Sequence, residues 1–241
     1  MKKSILIAAA VMLAGISHGQ MFAQLFGQTW TPASLSPVAW YRLDGNALDS
    51  GSLRADGRWA GTKAYTNGQL GVAASFDGAS CVTSSVTAPA QITIAMWTRG
   101  SVPGGATYKR LLCARNGNFW LQIVGAAVGE DNILQFGVVT NGNPATLAGG
   151  KKMSASGDFS SYRHIVGVWD NSTATMYVDG VAQTNSYSGG MGAGGDGILS
   201  IGARSDSIAV TGHSGQIDDV LIFNRALTIN EITQLYNWRQ P

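Results

Sequence analysis

Glutamate is nearly missing from these 241 residues: Glu130 and Glu231 are the two present. Glycoside hydrolysis ordinarily needs two opposed carboxylates. Glu231 is explained by a helix cap and Glu130 by a polar loop, so a hydrolase has little to build on. Histidine is nearly as scarce, at His18, His164 and His213, with no His-x-x-x-His spacing for zinc. There is no Cys-x-x-Cys, no Gly-x-Ser-x-Gly and no phosphate loop, which removes support for redox, seryl-hydrolase and nucleotide chemistry. Cys81 and Cys113 are the only cysteines. They are either a disulfide formed after export or two buried thiols, and the separation of their Cβ atoms decides.

Charge of one sign is also lacking. The formal net charge is +2, and of the 16 basic residues Lys2 and Lys3 lie at the N-terminus. Residues 1–19 have a basic start and an apolar run from Ser4 to Ile16, the pattern of a secretory signal peptide cut after Gly19 or Ala23. The run is short for a membrane span, and none of spanning length follows. Without the leader, basic residues balance the 14 acidic ones. A neutral chain gains no counterion-release energy on nucleic acid and is compatible with neutral ligands such as sugars. The expected location is secreted, periplasmic or cell-surface.

What is abundant is glycine, with 32 residues spread through turns and no three-residue period. An apolar share of 45% with seven tryptophans can fill one large all-β core. Residues 20–36 read as a lead-in and 37–241 as the domain. From Val38 the chain reads as short strands: Val38 to Leu43, Ala73 to Phe76, Ile92 to Thr98, Leu111 to Ala114, Phe119 to Val124, Ile133 to Val139, Tyr162 to Trp169, Thr175 to Val178, Ile198 to Gly202 and Gln216 to Phe223. In Ile92 to Thr98 both alternating faces are apolar, as in an inner strand between a core and a covered surface. Asn116-Gly117 and Asp179-Gly180 are hairpin turns. Residues 141–157 and 187–197 read as long loops. Thr228 and Glu231 form a capping box for a helix whose Ile232 and Leu235 share a face.

The order of Val38-Ala-Trp-Tyr-Arg-Leu-Asp-Gly-Asn-Ala-Leu-Asp-Ser50, Gly71-Val-Ala-Ala-Ser-Phe-Asp-Gly78, Ile92-Thr-Ile-Ala-Met-Trp97, Tyr162-Arg-His-Ile-Val-Gly-Val-Trp169, Met176-Tyr-Val-Asp-Gly180 and Gly215 to Tyr236 resembles the laminin-G-like, or concanavalin A-like, family. The resemblance covers roughly Pro37 to Trp238. It implies a two-sheet antiparallel jelly-roll sandwich with a short C-terminal helix, and ligand sites in rim loops or on the concave face. Glycosidases of this fold commonly carry a Glu-x-Asp-x-Glu-like strand, which is missing here.

Two sites are expected. The resemblance carries over a calcium ion, a hard cation wanting six to eight oxygens, to Asp44, Asn46, Asp49, Asp77 and Asp218. The competing reading is that the Asp-Gly pairs are turns and that Asp218 or Asp219 points inward to pair with Arg225. Sugar stacking needs aromatic platforms, and Trp59 and Trp120 are the candidates, against rim packing. Trp40, Trp97 and Trp169 read as core. The expected function is an exported, non-catalytic, lectin-like binding domain for a glycan. The alternative is an adhesion or structural subunit acting through protein contacts, for which residues 20–36 would dock a partner and a homo-oligomer stays open.

Overall fold

In the computed structural model the described residues are 30–86, 91–101, 108–114, 119–124, 132–138, 147–153, 159–183, 187–188 and 198–238. The expected leader and the Asn116-Gly117 turn lie outside them. The chain divides into two units, Met1–Leu35 and Ser36–Pro241. Of the first, the described part holds one turn of 3-10 helix, Pro32–Leu35.

The second unit is a sandwich of two antiparallel sheets. The first sheet contains β1 (Ala39–Tyr41), β3 (Tyr65–Asn67), β4 (Val72–Asp77), β6 (Ile92–Gly100), β11 (Arg163–Trp169), β12 (Thr173–Val178), β13 (Val181–Ala182), β14 (Tyr187–Ser188) and β16 (Ser214–Phe223). Its main path runs β13-β12-β11-β6-β16-β4-β3. The second contains β2 (Arg58–Ala60), β5 (Cys81–Ser84), β7 (Tyr108–Ala114), β8 (Phe119–Val124), β9 (Asn132–Val138), β10 (Leu147–Met153) and β15 (Leu199–Ile201), in the order β10-β9-β8-β7-β15-β5-β2. β10 falls in a stretch that the sequence presents as a Gly- and Ser-rich loop. Pairing with β9 makes it a strand, with a bulge between Ala148 and Gly150.

The core lies between the sheets. Tyr41, Ile92, Ile94, Met96, Ile165 and Trp169 come from the first sheet, and Leu112, Phe119, Leu121, Ile123, Leu134 and Phe136 from the second. Each set is read off its strand every second residue, as a one-sided sheet face requires. The opposite face of β6 is covered too. Trp97 stacks on Tyr236 of the C-terminal helix α2 (Ile229–Asn237), with ring centroids 5.7 Å apart. Trp40 meets Trp238 edge-on at 5.9 Å. Ile92 to Thr98 is therefore an inner strand with both faces buried, as its two apolar faces imply.

Helix α2 starts where the sequence places it. Thr228 accepts from the Glu231 backbone N–H, and the Glu231 carboxylate accepts from the Thr228 N–H at 2.8 Å. Arg225 grips the same carboxylate through both Nη atoms, at 3.0 and 2.7 Å. Led by Arg225, these bonds pull the Glu231 carboxyl down to about 2. Arg225 is thus taken by Glu231, and the expected pairing with the β16 carboxylates is corrected. A second short helix, α1 (Ile208–Thr211), between β15 and β16, carries no strong sequence signal.

The disulfide is also corrected. Cys81 on β5 and Cys113 on β7 are both free and buried. Strand β15 lies between them, pairing Ser200 with Thr83 on one side and Cys113 on the other. Two strand spacings of about 4.8 Å exceed the Cα separation of about 7 Å that a disulfide spans. Burial raises both thiols above the ordinary range, Cys113 to about 12.

Thr228→Ala, which removes the cap acceptor, should cost about 1 kcal/mol of stability. Urea unfolding with an unchanged midpoint would show that the capping box does not hold α2.

Candidate functional site

Strand β8 commits Phe119, Leu121 and Ile123 to the core. Trp120 and Gln122 consequently stand on the other face of the second sheet. Strand β7 carries a bulge between Arg110 and Leu112. The extra residue lets Leu111 and Leu112 both join the core while Arg110 and Cys113 both face outward with Trp120 and Gln122. Register then builds two parallel rows across the outer face. Gln135 of β9, Gln122 of β8 and Arg110 of β7 form one. Gly137, Trp120, Cys113, Ser200 and Thr83 form the other, across β9, β8, β7, β15 and β5.

The packing of these rows is tight. Gly137 leaves room for the neighbouring indole: a Cβ there would overlap Cε2 and Nε1 of Trp120. The Arg110 guanidinium carbon sits 5.1 Å from the Trp120 ring centroid, a cation–π contact. Gln122 Nε2 donates to Gln135 Oε1 at 2.8 Å. Several polar atoms remain unsatisfied: Trp120 Nε1, Gln122 Oε1, Arg110 Nε and Nη1, and Ser200 Oγ are shut from solvent and have no hydrogen-bond partner. Such an atom costs about 1–3 kcal/mol, and native structures keep few of them. Here they cluster on three adjacent strands. Gln122 and Ser200 are 1% and 0% exposed, whereas Trp120 and Arg110 are half-buried and form the open edge.

The other predicted tryptophan has a different task. Trp59 on β2 donates Nε1 to Tyr65 Oη at 3.0 Å and stacks on Phe76 with centroids 5.2 Å apart. Its ring joins the edge strands of the two sheets, and its N–H is satisfied.

The five candidate calcium ligands are dispersed. Asp49 accepts from the N–H groups of Trp40, Gly51 and Ala55 and so folds the loop after β1. Asn46 accepts from Leu48 N–H in its own turn. Asp77 accepts from Ala79 N–H and Ser80 Oγ–H at one end of β4, bonds that lower its carboxyl. Asp44 accepts from Val72 N–H at the other end, about 17 Å away at the rise of a strand. Only Asp44 and Asp218 are drawn together, close enough for the Asp44 charge to raise Asp218. Among the described residues no group of three or more His, Cys, Asp or Glu could hold a metal ion. The five residues therefore do not fit one calcium centre.

Residues 73–233 match the concanavalin A-like lectin/glucanases superfamily, in its third laminin G profile. The chain belongs to this superfamily. No curated protein sequence matches the chain. Among solved structures it is similar to domain 4 of AbnA, a GH43 extracellular arabinanase from Geobacillus stearothermophilus, in complex with arabinotriose. Identity is 20% and the TM-score 0.64, over 84% of this chain and 98% of that domain. It is also similar to the binding domain of botulinum neurotoxin DC in complex with SialylT, at 13% identity and a TM-score of 0.61, and in complex with rat synaptotagmin II, at 13% and 0.62. The alignments cover 84% of this chain and 51% of each toxin domain, so the chain spans about half their length.

Sequence reading singles out Trp120 and passes over Arg110, Gln122, Gln135 and Ser200, which share its face. The available signal is a glutamine in the middle of each of two apolar strands, Phe119–Val124 and Asn132–Val138. It becomes a site only once register sets the glutamines side by side.

The acidic pair of β16 is a separate feature. Register slips between Asp218 and Leu221, and Asp219 takes a φ of 46°. The bulge breaks the alternation expected of the pair, so both carboxyls are buried. Asp218 accepts from Leu70 N–H at 2.9 Å, and Asp219 from Trp40 Nε1–H at 2.6 Å. Burial raises both, Asp218 to about 7 and Asp219, further pushed by Asp218, to about 8. The folded state thus keeps protons that the unfolded chain releases near pH 4. This contribution is full below pH 4 and is lost as pH rises towards 8. Asp219→Asn, which preserves the acceptor for Trp40, should gain stability relative to the native chain as pH increases from 4 to 8. A stability difference that stays constant over that range would rule out a protonated Asp219.

Proposed function

We propose that this chain is an exported, non-catalytic binding domain that takes a glycan on the outer face of its second sheet. The observation that carries the reading is the clustering of unsatisfied polar atoms around the half-buried Trp120. A sugar presents hydroxyls, each both donor and acceptor, together with an apolar ring face. On displacing the groups that shut these atoms from solvent, it can accept from Trp120 Nε1 and donate to Gln122 Oε1 while its ring packs on the exposed part of the indole. Rigid strands fix these groups, so little ordering cost falls on binding. The arabinotriose complex of the AbnA domain and the SialylT complex of the toxin domain support a sugar ligand on this fold.

Non-catalytic action is supported by the carboxylates. Glu231 is held by Arg225 and the helix cap, and Asp218 and Asp219 are buried within the first sheet. Glu130 lies outside the described residues, as does most of the 20–36 segment on which an adhesion role would rest. Export rests on the leader-like pattern of residues 1–19. A calcium-ordered rim, if this domain has one, reduces to Asp44, Asp218 and loop carbonyls. Calcium should then raise the melting temperature by mass action and Asp44→Asn should abolish the rise; no response to calcium or chelator removes the ion from the proposal.

Glycan-array screening followed by calorimetry tests the site. Trp120→Ala and Gln122→Ala should each weaken binding about tenfold or more, equivalent to ~1.4 kcal/mol. Trp59→Ala should lower stability and leave affinity unchanged. Equal loss from Trp59→Ala and none from Trp120→Ala would move the site to the β2–β3 edge, and a correctly folded protein with a blank array would refute glycan binding.

A further inference from the structure

The outer face of the second sheet contains a positive charge that no described carboxylate neutralises. Arg110 makes no ion pair with a carboxylate among the described residues, whereas Arg42, Arg163, Arg204 and Arg225 each have one. Burial is the main influence on its guanidinium, and the groups acting on it next are Cys113, Arg204 and Tyr108. Arg204 is a second cation, and burial keeps the Cys113 thiol neutral. Among the described residues, the contact that faces the Arg110 charge is the Trp120 ring. A cation–π contact returns less than partial desolvation of an unpaired ion costs.

We propose that Arg110 is an anion-recognition group, and that the glycan taken by this face carries an acidic substituent next to the ring that packs on Trp120. This rests on the glycan reading of the site and narrows it to acidic sugars. The geometry is coherent. Arg110 and Gln122 are register partners, and Trp120 lies one residue pair further along the same face, so ring and acidic group would be about one sugar unit apart. A guanidinium meets a carboxylate or a sulfate with charge-assisted hydrogen bonds, and it does so most strongly where water is already excluded. Among the described residues, the rest of the face supplies donors and acceptors for hydroxyls and no negative group. The near-neutral charge of the whole chain makes this a local recognition device rather than a polyanion-binding surface.

The test compares three probes by calorimetry: an oligogalacturonate, its methyl ester, and a sulfated galactose oligomer. The methyl ester keeps ring and hydroxyls and removes only the charge. The native protein should bind one of the two acidic probes about ten- to a hundredfold more tightly than the ester, the range expected of a charge-assisted hydrogen bond. Preference for the uronate or for the sulfated oligomer identifies the acidic group. Arg110→Met should bind acid and ester alike. Because it removes an uncompensated charge, it should also melt at the same temperature as the native protein or higher. Equal native affinity for acid and ester, or a preference that survives Arg110→Met, overturns this inference and leaves the glycan reading standing. A melting temperature lowered by Arg110→Met, with no gain on adding either acidic probe to the native protein, would make Arg110 a structural prop for Trp120 and also overturn it. Failure of all sugars, charged and neutral, defeats the glycan reading itself.

Discussion

Side-chain alternation across β8 is the constraint from which the site follows. Phe119, Leu121 and Ile123 are required by the core, so Trp120 and Gln122 have no choice of face. Two further backbone features complete the arrangement. The β7 bulge keeps Arg110 and Cys113 on the same face as Trp120 despite two intervening core leucines. Gly137 leaves space on β9 for the indole. A one-residue slip of β8 would bury Trp120 and Gln122 in the core and turn three large apolar side chains outward. The stability of the core therefore enforces the geometry of the outer face.

The two sheets differ in what they do with their outer faces. The first covers its own: α2 lays Tyr236 on Trp97, and Trp238 closes on Trp40. Thr93 there is tied to the chain, donating to Arg225 carbonyl and accepting from Leu227 N–H, while Asp218 Oδ1 and Asp219 Oδ2 of the same sheet have no hydrogen-bond partner. The second sheet gathers more such atoms, on three adjacent strands. Trp120 Nε1, Gln122 Oε1 and Arg110 Nε and Nη1 remain without partners, and an unsatisfied buried polar group is a liability unless something else satisfies it.

Much of the fold is legible in the sequence because its signals are local. The Asp179-Gly180 turn needs two left-handed residues and has them, with φ of 52° and 78°. The Thr228–Glu231 cap and the double-apolar strand Ile92–Gly100 are read within a few residues of themselves. The missed pieces depend on distant partners. Arg58–Ala60 and Tyr65–Asn67 are three-residue edge strands defined by pairing alone, and Leu147–Met153 becomes a strand only beside β9. The site is legible to the same extent. Trp120 stands out by residue type, but Arg110, Gln122 and Gln135 become a row only through register. The acidic residues mislead for a related reason: sequence proximity groups Asp44, Asn46 and Asp49, while hydrogen bonding sends each to a different part of its loop.

In the proposed glycan complex the unpartnered groups of the second sheet form the contact surface. The most direct measurement is the set of indole N–H resonances of the 15N-labelled protein during titration with a bound glycan. Trp120 Nε1, which has no partner, should shift strongly as it gains one. Trp59 Nε1, already donating to Tyr65, should stay in place. A saturable shift at Trp59 with Trp120 unmoved would contradict the account.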